Sequence, residues 1–308
     1  MEEAKNNRLP EGFLNILKPP GMTSHDVVGF LRRILSQKKI GHCGTLDPGA
    51  AGVLPVALGR ATKMIEYVPH DIKAYRAELH LGVATDTGDA FGKVLSLRPV
   101  RSYAEAEVKR VLHTFLGLIT QTPPAASAIK VRGKRLYQYH RQGEQVEIPS
   151  RSVRIDSLTV VDMSADRLML DIVCGGGTYI RSLAADIGEM LGCGACMSFL
   201  VRTVSGPFHL RNAIPLNEIE SISRKGILSC ALISPGEVLN HLPSLTVGCR
   251  EEKMILNGVR ISGDFGVHPE SEKTTVQVRS ESGALIAIAE LQRGDTDYLK
   301  PLKVLPGS

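Results

Sequence analysis

The sequence predicts an α+β protein: a mixed, largely antiparallel sheet with flanking helices, followed by a small β-rich C-terminal module. Three observations carry that expectation. Residues 153–161 and 166–174 are alternating apolar/polar runs joined by a polar turn, the pattern of a hairpin. Apolar residues recur at helical spacing in several separate segments. Strands and helices follow one another without the regular βαβ rhythm of a doubly wound parallel sheet.

In chain order, Thr23 or Ser24 is placed to cap a helix whose apolar face is Val27, Val28, Leu31, Ile34 and Leu35. Tyr75, Ala77, Leu79 and Leu81 alternate with Arg76, Glu78 and His80, a strand with one wet face. Ser102 and Glu105 have capping-box spacing ahead of Val108, Val111, Leu112 and Phe115. The second arm of the hairpin puts Leu168, Leu170, Ile172 and Cys174 on one face. After it, Ile180, Leu183, Ala184, Ile187 and Leu191 mark another helix. Beyond Pro243 the segments shorten, with Val276–Arg279 and Ala284–Leu291 on either side of a Ser282-Gly283 turn. These textures divide the chain into a main domain, 10–240, and a β-rich module, 241–308.

Composition narrows the function. Of 308 residues, 43% are hydrophobic and 22% charged, which excludes collagen-like and low-complexity chains. No apolar stretch approaches the roughly 18 residues of a membrane span. The opening MEEAKNNRLPEG lacks the basic and apolar regions of a secretory signal. Six scattered Cys, with one C-x-x-C at Cys193 and Cys196, read as free thiols in a cytoplasmic protein. The net charge is +5, yet residues 241–308 hold 8 basic and 9 acidic side chains, so the excess lies in the first 240. Within them, 15–76 carries 9 basic against 4 acidic residues and 128–154 carries 7 against 2. Two basic blocks in one domain point to a polyanionic partner without saying which.

Two segments could carry chemistry. GHCGTLDPGAAGVLPVALGRATK, residues 41–63, holds five Gly and two Pro. Pro48 keeps Asp47 out of helical geometry, so Asp47 is a carboxylate on a constrained loop; an Asx turn would explain it as well. His42 beside Cys43 suggests a metal, but no ligand spacing supports one. The other segment, Cys174-Gly-Gly-Gly-Thr178-Tyr179-Ile180-Arg181, ends a strand and opens a helix. It lacks the spacing of a phosphate-binding loop. Arg181 falls in the first helical turn, where the helix dipole disfavours a cation unless solvent or a bound anion compensates. Softer signals are the turn Thr85-Asp86-Thr87-Gly88-Asp89 and the stretch TPPAASAIKVRGKRLYQYHR, residues 122–141. The latter has the basic and aromatic side chains that suit unpaired RNA, and the look of a surface loop too.

From Leu17-Lys18-Pro19-Pro20-Gly21 to its C-terminus the chain resembles the bacterial tRNA pseudouridine-55 synthases. The resemblance rests on GHCGTLDPGAAGVLPVALGRATK, YRAELHLGVATDTGDAFG, QTPPAASAIKVRGKRLYQYHR and CGGGTYIRSLAADIGEMLG, in matching order and separation. It implies isomerisation of a flipped-out uridine at position 55 in the T loop of tRNA. Asp47 resembles the essential aspartate and Arg181 the arginine that pairs with it. Tyr75 resembles the aromatic that stacks on the target base, Tyr179 the tyrosine of the same YIR triplet, and Leu200 an apolar pocket residue. His42 resembles a histidine that helps turn the RNA loop, Lys18 belongs to the KPPG element, and Asp89 matches the acidic residue of the DTGD segment. The tail, 241–308, resembles the family's small RNA-binding β domain. Val201 and His140 stand where Arg and Ala are usual.

The implied reaction neither adds nor removes atoms and involves no redox step, so it calls for no cofactor and no metal. The expected partner is tRNA, through its T stem-loop, with neither a membrane nor an obligate protein partner. The competing class is a noncatalytic RNA-binding or tRNA-folding protein, which the basic blocks fit equally well.

Overall fold

The computed structural model describes residues 9–305 apart from 145, 264, 267–271 and 295. Most of the segment tested for a secretory signal, and residues 306–308 of the C-terminal module, lie outside the described residues. The chain enters through β1 (Gly12–Lys18), α1 (Ser24–Ile34) and β2 (Ile40–His42) and returns as β3 (Ala51–Leu58). Next come β4 (Lys73–Leu81), a small hairpin of β5 (Val83–Thr85) and β6 (Val94–Leu97), α2 (Glu105–His113) and β7 (Gly117–Gln121). An insertion carries β8 (Lys130–Val131), β9 (Lys134–Arg135) and α3 (Leu136–Gln142). The expected hairpin follows as β10 (Arg151–Met163) and β11 (Arg167–Cys174), then α4 (Ile180–Met190), β12 (Ala195–Ser205), β13 (Phe208–His209) and β14 (Ile214–Pro215).

Apart from the two-stranded ribbons β5-β6 and β8-β9, these strands form one sheet in the order β14-β1-β3-β12-β4-β11-β10-β7, with β2 on β3 and β13 on β12. Only β1–β14 and β3–β12 pair in parallel. Register follows burial. Tyr75, Ala77 and Leu79 of β4 stand opposite Ile172, Leu170 and Leu168 of β11, all six buried. A slip of one residue would turn every one of them to water. One face of the sheet buries Leu183, Ala184 and Ile187 of α4 with Val108 and Leu112 of α2. The apolar stripe of α1 packs on Leu14, Ile16, Leu54 and Val56 from β1 and β3.

Thr23, not Ser24, caps α1: its side chain accepts from Asp26 N–H while the Asp26 carboxylate accepts from Thr23 N–H. The capping box expected at Ser102 and Glu105 is absent. Ala104 is the N-cap and makes no side-chain bond. Tyr103 is the reason: it is buried and donates its hydroxyl to the Leu191 carbonyl at 2.9 Å, so the chain reaches the core before it turns helical.

Beyond α5 (Leu216–Arg224) and α6 (Pro235–Val238), a second sheet comprises β15 (Ser244–Val247), β16 (Ile261–Ser262), β17 (Lys273–Ser280), β18 (Leu285–Gln292) and β19 (Tyr298–Val304). Its order is β15-β17-β18-β19-β16, with α7 (Cys249–Leu256) against it. The turn between β17 and β18 uses Gly283 at φ 83°, a conformation that suits glycine. Among the described residues, no helix is long and apolar enough to cross a membrane.

Candidate active site

Asp47 lies between β2 and β3 on a loop held from three sides. Ser24, the first residue of α1, accepts from Leu46 N–H at 2.9 Å and donates to the Leu46 carbonyl at 3.0 Å. Gly21 N–H donates to the Pro48 carbonyl at 2.8 Å. Lys18, fully buried at the end of β1, donates to the carbonyls of Pro19, Met22 and Pro48. Burial pushes its ammonium down to about 8, Asp47 pulling the other way and Arg202 adding to the fall. That ammonium therefore joins the turn between β1 and α1, through Pro19 and Met22, to the Asp47 loop, through Pro48.

Arg181 approaches from the first turn of α4. Its Nη2 donates to Asp47 Oδ1 at 3.3 Å and to the Ala126 carbonyl at 3.1 Å; Nη1 donates to the Thr87 carbonyl at 3.1 Å. Nε lies 3.0 Å from Asp47 Oδ2, an ionic contact off the line of a hydrogen bond. Nη1 is also 3.6 Å from Asp89 Oδ2. Two carboxylates thus offset the unfavourable helix dipole at this position. The arginine side chain is 5% exposed and Asp89 14%, but Asp47 is 37% exposed. The pair is buried on its cationic side and open on its anionic side.

Asp89 sits in the turn between β5 and β6, where its carboxylate also accepts from Thr87 Oγ1 and Phe91 N–H. Tyr75 and Leu200 belong to the apolar wall that includes Leu46 and Ala50 of the Asp47 loop. Burial pushes the Tyr75 phenol up to about 12, with Arg202 beside it pulling the other way. Tyr179 is the N-cap of α4; its N–H donates to Gln121, its carbonyl accepts from Gln121, and the Arg151 guanidinium covers its ring at 4.6 Å. His42 ends β2 half-buried, its imidazole pushed below the ordinary range by burial. Among the described residues neither Tyr179 nor His42 bonds to the Asp47–Arg181 pair.

The glycines before Tyr179 serve the backbone instead of a phosphate. A Cβ on Gly176 would lie 2.8 Å from the His70 carbonyl oxygen, and Gly177 has φ 88°. Among the described residues, no group of three or more His, Cys, Asp or Glu could hold a metal ion.

Comparison with known proteins identifies the family. A model described as the TruB family pseudouridylate synthase N-terminal domain matches residues 32–180, and one for the tRNA pseudouridylate synthase B C-terminal domain matches 181–238. A tRNA pseudouridine synthase B of Moorella thermoacetica is 45% identical over 96% of this chain and 99% of its own length. One from Heliobacterium mobile is 51% identical over 81% of this chain and 80% of its own. The chain belongs to the TruB family. It is accordingly an isomerase of the pseudouridine synthase class. Solved structures share the TruB fold. A chain from an H/ACA ribonucleoprotein bound to a substrate RNA containing 2′-deoxyuridine is 25% identical with a TM-score of 0.74, covering 97% of this chain and 86% of its own. A chain of a Cbf5-Nop10-Gar1 complex is 27% identical, also with a TM-score of 0.74, over 96% and 85%.

Sequence reasoning passed over one residue of this TruB site. Arg202, two places beyond Leu200 on β12, is fully buried and donates to the carbonyls of Val53, Thr45 and Gly44. It ties the Asp47 loop to the strand beneath it. The available signal was a cation on the inward face of a strand, in phase with Leu200. The two departures from the family pattern also have places: Val201 is half-buried opposite Arg76, and His140 Nε2 lies 3.2 Å from Asp86 Oδ2, joining α3 to the Asp89 turn.

Proposed function

We propose that this protein converts uridine to pseudouridine at position 55 in the T loop of tRNA, with Asp47 acting at the ribose. The observation that carries this reading is the Asp47–Arg181 pair, a fixed, outward-facing carboxylate whose cation is buried behind it. The relatives' name, tRNA pseudouridine synthase B, and the likeness to a chain of a ribonucleoprotein bound to a substrate RNA support it.

The reaction breaks N1–C1′, turns the uracil, joins C5 to C1′, and exchanges the C5 proton for one on N1. A stacked uridine is out of reach, so the nucleotide flips out at a cost of a few kcal/mol. Asp47 then either bonds to C1′ or removes a C2′ proton to give a glycal-like species; both routes need the carboxylate at the sugar. Arg181 fixes it there, and Asp89 steadies Arg181. Tyr75 and Leu200 line the side that receives the base, and their apolar wall keeps water from the detached ring. Tyr179 serves the base or ribose through its hydroxyl, and His42 holds the turned loop. Lys18 acts through the Pro48 carbonyl, as a positioning residue. The reaction centre belongs to residues 10–240, and 241–308 form a small RNA-binding β domain. The protein works in the cytoplasm with no obligate protein partner.

Purified protein given total tRNA, followed by mass-spectrometric mapping, tests this. The parent should place pseudouridine at position 55. Asp47→Asn, which keeps shape but loses charge, should form no product while binding tRNA within about tenfold of the parent. Modification centred on another stem-loop overturns the target. Binding without conversion by the parent favours a noncatalytic RNA-binding or tRNA-folding protein.

A further inference from the structure

Phe91 is 79% exposed, more than any other large apolar side chain of the described residues. Exposed apolar residues are ordinary, but the placement of this one is not. Its ring lies against the Asp47 loop, so closely that a Cβ on Gly49 would come within 2.2 Å of it. Its backbone is held as firmly as the site itself. Phe91 N–H donates to Asp89 Oδ1, the carboxylate that faces Arg181, at 3.1 Å. Gly92 N–H donates to the Asp89 carbonyl, Ala90 N–H to the Met197 carbonyl, and Lys93 N–H to Asp86 Oδ1. A ring on so closed a turn is a rigid flat surface at the mouth of the carboxylate cluster.

We propose that Phe91 is a stacking platform for an unpaired nucleobase of the substrate RNA, one next to the flipped uridine. The inference rests on the reading of Asp47 as the reacting group. An RNA strand that delivers a sugar to Asp47 passes beside Pro48 and Gly49, where the ring lies. Flipping one nucleotide breaks the stack of its neighbours, and an aromatic face at that point restores part of what they lose. The basic block at 128–154 reaches the same turn through His140 and Asp86, which sets cations near the phosphates of that strand. A base offers any aromatic ring a π-face, so this subsite selects for an unpaired nucleotide and not for its identity.

The chain contains no tryptophan, so Phe91→Trp introduces a single indole at the proposed contact, excited selectively over the seven tyrosines. A T-arm RNA oligonucleotide should quench its emission. The same RNA with an abasic nucleotide beside the target uridine should quench it much less. Phe91→Ala should weaken RNA binding about tenfold, Phe91→Trp should keep parental affinity, and both should melt with the parent, because the ring is exposed. If the parent binds and isomerises the RNA while emission of the Phe91→Trp variant stays unchanged and Phe91→Ala binds as the parent does, the proposal is overturned and the functional reading stands. Loss of self-association in Phe91→Ala with intact RNA binding assigns the ring to a contact between copies and overturns it too. If the parent binds without isomerising, the functional reading falls, and the quench separately reports whether a base stacks on the ring.

Discussion

Arg181 holds four partners at once: it donates to Asp47 and to the carbonyls of Thr87 and Ala126, and makes a longer ionic contact with Asp89. Lysine would supply charge, but a single nitrogen cannot spread across them as a planar fork does. Arg181→Lys should therefore lower the single-turnover rate on the order of 10²-fold or more, the penalty for a misplaced reacting group, with RNA affinity close to parental. A rate near that of the parent would mean that charge alone suffices. At Tyr75 the ring, not the hydroxyl, is expected to matter. Tyr75→Phe should be milder than Tyr75→Leu, which forfeits stacking worth about 1–3 kcal/mol; equal conversion by all three forms would remove the assignment. The Asp47–Arg181 contact was expected from the family resemblance, whereas the local pattern alone left Asp47 a candidate turn residue and Arg181 a cation facing either solvent or a bound anion. The contributions of Thr87 and Ala126 were not legible, since a carbonyl has no residue identity to read. Arg202 left only a weak trace, one cation in phase with apolar neighbours, and its three acceptors, two in the Asp47 loop and one in β3, lie about 150 residues away.

Between residues and domains, local rules succeeded where the core made no competing demand. Thr23 caps α1 as its spacing suggests, and Thr23→Ala should cost about 1 kcal/mol while Thr23→Ser stays close to neutral, measured by denaturant unfolding. Ser102 has equally good spacing yet yields to the burial of Tyr103, a tertiary demand that a local pattern does not contain. β3 illustrates a tighter constraint. Gly52 has φ 111°, and a Cβ there would lie 2.2 Å from the Arg202 backbone oxygen. Gly52→Ala should then destabilise the protein by at least about 2 kcal/mol, through backbone strain together with overpacking. Because β3 directly follows the Asp47 loop and Arg202 holds that loop from below, activity should fall further than stability predicts. A variant as stable as the parent would show that β3 and β12 are free to separate.

The two sheets are not independent bodies. Ile288 of β18, with Leu285 and Leu305, packs in one cluster with Phe13, Val53, Val238 and Leu239, and Lys303 pairs with Glu66 at 2.8 Å. The charge change near residue 241 revealed a change of texture but gave no hint of this apolar seam, because burial between segments so distant in sequence has no periodicity to detect. Ending the chain near 241 should consequently lower thermal stability as well as weaken RNA binding. Two histidines, half-buried His70 and the more exposed His241, both feel the charge of Asp71, and partial desolvation lowers the affinity of each for a proton. His42 at the active site is lowered in the same way. An unfolded histidine binds its proton near pH 6.5. Below that pH the unfolded chain therefore holds more protons than the folded one, and stability falls as the solution is acidified. The carboxylates lowered by hydrogen bonds, Asp26, Glu78, Asp171 and Glu237, act in a separate range, since their contribution is lost only as pH falls through their depressed folded values, below about 4. A decline in melting temperature between pH 6.5 and about 4.5 thus belongs to the histidines. Replacing His70 and His241 together by Gln should flatten that decline while leaving the loss below pH 4 in place. An identical slope in the double variant and the parent would mean that His70 and His241 contribute nothing to acid sensitivity.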